Sequence, residues 1–467
     1  MLAQTRRKPA GLAITAHLSD RGAVRDIERD EEEAFWTTKF AARLGTWLCI
    51  SAFSAVVGLD VRHSLPEFFR GCFYFLLPFC IYQLLQKEKD SNERLRKIKS
   101  YLVALTIGQG IAALLTIISA VSGRDIHTGV PGAVTESGQL VLVLPCIVAL
   151  LYLYRESAGV SCSRPTQYSA HRPGNGFRFC ALFSALLFMA WCDPIIPPPY
   201  SGITPIVRTG GAVFCLALLL PAVFEYIGRR RSCSLADLAL AYERLGWCIA
   251  ALLFTALVIN LKRGPWIGVT VELLVLGAFL SRKLFFTAIA VIPSILLLLP
   301  PARARLFSSF DHFEIQGGRK SMWLLGLELS ERFPLGLGPN NASYMRQLDP
   351  TLPELHRHMH NNLLNISVET GLLGLAAYIW WIVFVISLGF LVWRRFAPSG
   401  TGKNTRDIQV LGLCLGTSLL GWQVSGIVEY NFGDGEIRLI ALVLMGFLLT
   451  LISLRRTPEY PTSNLRT

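Results

Sequence analysis

Residues 370–393 read Thr-Gly-Leu-Leu-Gly-Leu-Ala-Ala-Tyr-Ile-Trp-Trp-Ile-Val-Phe-Val-Ile-Ser-Leu-Gly-Phe-Leu-Val-Trp, without one ionisable group beyond a tyrosine. A bilayer's hydrocarbon core of roughly 30 Å needs about 20 apolar residues in helix. Only helices and closed barrels satisfy their own backbone polar groups there. The same reading carried outward predicts spans near 44–59, 67–86, 101–121, 139–154, 179–193, 209–227, 245–261, 265–280, 284–300, 408–428 and 438–454. The composition agrees: 52% of residues are hydrophobic and 16% charged, which excludes an ordinary soluble fold. The expected fold is all-α, a polytopic transmembrane bundle of about twelve spans.

The division expected along the chain is a cytoplasmic N-terminal tail 1–43, spans one to nine over 44–300, a long loop 301–369, spans ten to twelve over 370–454, and a tail 455–467. The charged first forty residues hold no apolar core of signal-peptide length, so the first span is expected to insert by itself. With the N-terminus inside, 31 of the 45 Lys and Arg residues fall on the cytoplasmic side. The net charge of +13 is then explained by loops facing anionic lipid, and nucleic acid is not an expected partner. Most of the eleven cysteines lie in apolar runs, where cysteine acts as a small hydrophobe, so no disulfide framework is implied.

The loop 301–369 is the one long connection, expected on the periplasmic side, and is too patterned for a linker. Gly318–Arg332 reads as an amphipathic helix carrying Arg319, Lys320 and Trp323. Leu335-Gly336-Leu337-Gly338-Pro339-Asn340-Asn341 then forces turns. His360-Asn361-Asn362 opens a helix that runs into the tenth span, where Gly371 and Gly374 would allow close packing on a neighbouring span.

Arg263, in the tight connection Leu261-Lys262-Arg263-Gly264-Pro265-Trp266, and Arg319 are candidate anion ligands, since a guanidinium forks onto phosphate and stays charged. Their bland readings are snorkelling at a helix end and a solvated helix face. A diphosphate leaving group would need two or more fixed cations in the absence of a metal, and the loop holds no carboxylate cluster for a divalent ion. His360 suits a general base by its unperturbed pKa of about 6.5, with Asp349 and Glu354 as substitutes; the plain alternative is an interfacial histidine. His356, His358 and His360 would share a face of an extended segment as a zinc site, which Arg357 and a helix start at His360 disfavour. Glu429, Asp434 and Glu436 crowd one turn, where they either pair with Arg438 and solvate the turn or orient an arginine and hold sugar hydroxyls. Glu272, inside a span, is a candidate for an internal ion pair.

The ordered set Lys262-Arg263-Gly264-Pro265-Trp266, Arg319 with Trp323, Pro334-Leu335-Gly336-Leu337-Gly338, and His360-Asn361-Asn362-Leu363-Leu364 with Gly371 and Gly374 resembles the O-antigen ligase and polymerase superfamily of bacterial membrane glycosyltransferases. Lys262 stands where that family's segment carries serine. The resemblance implies a C-type glycosyltransferase fold in the bacterial inner membrane with its active site facing the periplasm. It implies an undecaprenyl-diphosphate glycan as donor, a lipid A core acceptor and a metal-independent inverting reaction with no cofactor. By that analogy Arg263 and Arg319 bind the diphosphate and His360 activates the acceptor; Lys320, Trp323, Asn361, Glu429 and Asp434 are further candidate substrate-binding residues. Polymerisation of a repeat unit is the alternative within the superfamily. A transporter built on Gln109, Glu272 and Gln423 is the alternative outside it.

Overall fold

A computed structural model describes residues 11–88, 90–122, 133–161, 235–298, 300–314, 318–350, 352, 357–396 and 403–454. These residues form helices and no strands. In chain order the helices are α1 (Gly11–Val57), α2 (Val61–Tyr74), α3 (Leu77–Gln86), α4 (Ser91–Val121), α5 (Ala133–Ser161), α6 (Leu235–Ile259), α7 (Arg263–Leu280) and α8 (Arg282–Leu298). They continue as α9 (Pro300–Glu314), α10 (Arg319–Arg332), the short α11 (Met345–Leu348), α12 (Asn362–Phe396), α13 (Lys403–Ser425) and α14 (Gly435–Ser453).

Among the described residues eight helical segments are long and apolar enough to cross a membrane. The first is Ala34–Val57, about ten residues ahead of the expected start at 44, because Lys39 and Arg43 lie over the rings of Phe35, Trp36, Trp380 and Phe384 and do not end the helix. The expected spans at 179–193 and 209–227 lie outside the described residues. Where a loop was expected from residue 301, α9 begins on Pro300 and Pro301: proline fits the first turn of a helix, whose N–H groups have no intrahelical partner.

Lipid offers no hydrophobic drive between helices, so close packing holds the bundle. α13 is its axis, buried over most of its length and packed on α12, α7 and α5. Trp47 of α1 stacks on Trp381 of α12 at 5.7 Å between ring centroids. Phe432, from the connection between α13 and α14, enters the same cluster against Tyr378, Trp47 and Trp422 at 5.1 to 5.9 Å. Each such pair contributes about 0.5–1.5 kcal/mol beyond burial. A second, smaller core of Met322, Leu329, Leu337, Met345, Met359 and Val368 holds the segment between α10 and the start of α12.

The two cores meet at a break in α12. Thirty-five helical residues would be about 52 Å long, well beyond one bilayer core. Gly371 divides them with φ 75°. The expectation that Gly371 packs the span on a neighbouring span is therefore corrected: its missing Cβ makes room for the backbone of Pro334 and Leu335. Around it Leu337 N–H donates to Val368 C=O (2.8 Å), Gly338 N–H to Glu369 C=O (2.9 Å) and Leu372 N–H to Pro334 C=O (3.2 Å). Gly336, at φ 85°, completes the fit from the other side. The Pro-Leu-Gly-Leu-Gly turn and the Gly-Leu-Leu-Gly motif are thus two halves of one backbone joint.

Gly371→Ala should lower the thermal stability of the purified protein by at least about 1–3 kcal/mol, from backbone strain alone. Gly45→Ala, at a helical position with nothing within 4 Å of the added Cβ, should not. Equal melting of Gly371→Ala and wild type would show that the joint is not rigid.

Candidate active site

The turn Asn260-Leu261-Lys262 joins α6 to α7, and Trp266 closes it by donating to the Leu257 carbonyl at 2.9 Å. Arg263 begins α7 and donates to the Ser308 hydroxyl of α9 at 3.3 Å. Arg305, also on α9, donates to the Leu261 carbonyl at 3.2 Å. Along α7 and α13 a seam of small residues brings the backbones together: a Cβ on Gly268 would meet the Gly421 carbonyl, and one on Gly264 would meet Ser425 and the Glu429 side chain. That approach carries Glu429, just past the end of α13, to the Arg263 turn.

Glu429 is where the separate pieces converge. Its Oε1 accepts from Arg319 at 2.8 Å, and its Oε2 faces Nδ1 of His360 at 3.6 Å. Burial pushes the Glu429 carboxyl up, but the neighbouring His360 and the charge of Arg319 outweigh it and hold it at about 2. Lys262 feels the same group of charges: burial pulls its ammonium down, Glu429 opposes this, and Arg305 and Arg319 add to it. Burial and the Arg319 charge likewise lower Arg305. The charges of Lys262, Arg263 and Arg305 thus act on the same site as Glu429, which holds Arg319 on one oxygen and faces His360 with the other.

Local structure fixes His360. Its φ of 49° turns the chain sharply before α12. The preceding Met359 is held at both backbone groups, its N–H donating to Asn365 Oδ1 (3.1 Å) and its C=O accepting from Trp323 Nε1 (3.0 Å). The buried Asn362 then ties the start of α12 to the Glu429 connection. Its N–H donates to the Gly426 carbonyl (2.7 Å), its Nδ2 donates to Asn431 Oδ1 (2.7 Å), and its Oδ1 accepts from the N–H groups of Asn431 and Phe432 (both 3.0 Å).

Of the residues singled out from sequence, Arg263, Arg319, His360 and Glu429 come together. Trp323 supports Met359, and Asn361 caps α12 by accepting from the Leu364 N–H at 3.0 Å. Lys320 turns to solvent and pairs with Glu314 at 3.3 Å. Asp434 caps α14, accepting from the N–H groups of Glu436 and Ile437, and also accepts from Thr135. Of the two readings of this turn, Glu429 follows the one in which it orients an arginine, taking Arg319, while the Arg438 guanidinium lies over Tyr74, 4.9 Å from the ring centre. Glu272 was expected in an ion pair. It is fully buried against Gly421, and neither carboxylate oxygen has a hydrogen-bond partner among the described residues. The rings of His358 and His360 meet edge-on at 4.3 Å, while His356 and Glu354 lie outside the described residues. Among those residues no three His, Cys, Asp or Glu side chains are grouped to hold a metal ion.

Arg305, Ser308 and Asn362 had not been singled out. Asn362 carried a visible signal, the doubled asparagine after His360; Arg305 was one of several basic residues beside an apolar end.

Residues 248–379 match a family model described as O-Antigen ligase. The match supports the O-antigen ligase and polymerase superfamily. It covers just over a quarter of the chain, running from α6 through the first part of α12, and so contains Lys262, Arg263, Arg305, Arg319 and His360. Glu429 lies beyond it. No curated protein matches the chain. The matched segment is similar to a family of membrane glycosyltransferase-type enzymes, and the eight apolar helices among the described residues support a multi-pass membrane protein.

The depressed Glu429 pKa makes folding stability pH-dependent. A carboxyl at about 2 in the fold against an ordinary 4.5 contributes fully above 4.5, and the contribution is lost as pH falls toward 2. The stability difference between wild type and Glu429→Gln should be flat above pH 4.5 and shrink below it. A difference that persists unchanged down to about pH 2 would contradict the assignment.

Proposed function

We propose that this chain transfers a glycan from a polyprenyl diphosphate, undecaprenyl diphosphate in a bacterial inner membrane, to a lipid A core acceptor on the periplasmic face. The observation that carries this reading is the convergence of Arg319 and His360 on Glu429 beside the Lys262–Arg263 turn. In the reaction an acceptor hydroxyl attacks the anomeric carbon as the bond from that carbon to the diphosphate oxygen breaks. The leaving diphosphate takes the electron pair, and the acceptor proton passes to a base. Such a displacement inverts the anomeric centre.

Arg263 and Arg319 serve the leaving group: fixed cations in a partly buried site act most strongly on charge that develops as the bond breaks. His360 serves the nucleophile. With Nδ1 turned to Glu429, the base role falls to Nε2. Glu429 therefore positions both the cation and the base. No metal is required in this scheme because the basic side chains neutralise the leaving group. The transporter alternative has less support, since Gln109 bonds Gln139, Gln423 bonds Tyr378 and Glu272 packs on Gly421, three separate contacts.

Arg263→Ala and Arg319→Ala should each abolish transfer while the protein still inserts in the membrane, and lysine at either position should rescue poorly because it lacks the planar fork. His360→Ala should lose about 10² to 10⁴ in rate while retaining donor binding. EDTA should leave the wild-type rate unchanged. Near-normal transfer by the alanine variants in a purified assay would remove the site from this location. The polysaccharide profile of a deletion strain separates ligation from polymerisation. Long chains retained on the lipid carrier are expected; single repeats would reassign the chain as a polymerase, and an unchanged profile would contradict both.

A further inference from the structure

Near the start of α5, the stretch Thr135-Glu136-Ser137-Gly138-Gln139 belongs to none of the motifs read from the sequence. Glu136 within it is fully buried. Its Oε2 accepts from the Thr116 hydroxyl of α4 at 2.7 Å and from Nδ2 of Asn260 at 2.9 Å. Asn260 is itself 1% exposed, and its Oδ1 has no hydrogen-bond partner among the described residues. Among those residues, the bond to Glu136 is therefore what fixes the direction of the Asn260 side chain. A buried amide deprived of this acceptor has to turn elsewhere, because an unpaired donor away from water is costly.

Asn260 opens the turn that carries two of the site's cations. The next residue, Leu261, has φ 51°, a left-handed conformation that a residue other than glycine keeps only where its surroundings enforce it, and Lys262 and Arg263 follow. The turn is held from several directions: Glu136 takes the Asn260 side chain, Arg305 donates to the Leu261 carbonyl at 3.2 Å, and Trp266 donates to the Leu257 carbonyl at 2.9 Å. The same stretch of α5 also grips the chain beyond Glu429. Thr135 donates to Asp434, Gln139 donates to Glu436 at 3.3 Å, and Gly138 leaves room for the Ile437 side chain. α5 thus bridges the cation turn and the connection that holds Glu429.

We propose that Glu136 is a positioning residue: through Asn260 it sets the direction in which the Leu261 turn presents Lys262 and Arg263 to the donor's phosphates. The proposal rests on the reading of the donor as a lipid-linked diphosphate. Glu136 acts here as a hydrogen-bond acceptor and not as a charge. Its Oε1 has no hydrogen-bond partner among the described residues, so a glutamine can keep both bonds on its single carbonyl oxygen.

The test measures binding of a polyprenyl diphosphate, carrying no glycan, to the full-length protein in nanodiscs. Glu136→Ala should weaken binding about tenfold, which corresponds to about 1.4 kcal/mol, and Glu136→Gln should bind as wild type does. Asn260→Ala removes the same bond while leaving Glu136 on Thr116; it should match Glu136→Ala, and it serves if that variant fails to fold. Gln109→Ala, which breaks the 3.1 Å contact between Gln109 and Gln139 and does not reach Asn260, should bind as wild type does. The decisive comparison is made in a protein already carrying Lys262→Ala and Arg263→Ala, where Glu136→Ala should cost nothing further because the cations it positions are gone. A further tenfold loss in that background, wild-type binding by both Glu136→Ala and Asn260→Ala, a glutamine variant as weak as the alanine one, or an equal loss in Gln109→Ala would each overturn the proposal. Wild-type binding by the variant lacking both cations, or a wild type that does not bind the lipid, would overturn the donor site itself and the proposal with it.

Discussion

A single backbone joint, the exchange of hydrogen bonds between Pro334–Gly338 and Val368–Leu372 across the break at Gly371, is the constraint on which the rest of this structure depends. In a membrane an unpaired backbone group costs several kcal/mol, so a helix can be broken near the bilayer only where another segment receives the freed donors and acceptors. Here each half of the joint supplies what the other lacks. The consequence is that residues 362–370 form a short arm with the joint at its base and, at its tip, Asn362 immediately after the His360 turn.

From that arm the candidate site is assembled out of four distant parts of the chain: the Leu261–Arg263 turn, α9, α10 and the connection that holds Glu429. None of these parts is fixed by its own sequence. The α7–α13 seam sets how near Glu429 comes to Arg263, Asn362 sets how near it comes to His360, and Phe432 anchors the whole connection in the aromatic core. A carboxylate shared by an arginine and a histidine is costly to bury unless each oxygen is engaged. That requirement gives both partners a defined place.

The helical character was legible in the sequence because apolar runs of about 20 residues fit a membrane-crossing helix, where a barrel strand needs only about ten; α10, expected at Gly318–Arg332, forms at Arg319–Arg332. Arg263, Arg319 and His360 were legible as members of an ordered motif set. For Glu429 two readings were open, pairing with Arg438 or orienting an arginine, and with Arg438 nine residues away and Arg319 110 away the sequence could not name which arginine it takes. Gly371 was read as a packing glycine because hydropathy records which face is apolar and carries no information about φ. Arg305 was hidden for a related reason: beside an apolar helix end any arginine has an adequate explanation in the interface, and only the carbonyl of a strained Leu261 distinguishes this one.

The central claim, that the arginine turn, α10 and the α12 arm form one anion site, is tested most directly by a cryo-EM structure of the protein with a polyprenyl diphosphate bound. The account predicts phosphate density between Arg263 and Arg319, with Glu429 still joined to Arg319 and His360. Density for the phosphates at any other place, such as the Arg282–Lys283 end of α8, with the Arg263 turn unoccupied, would contradict it.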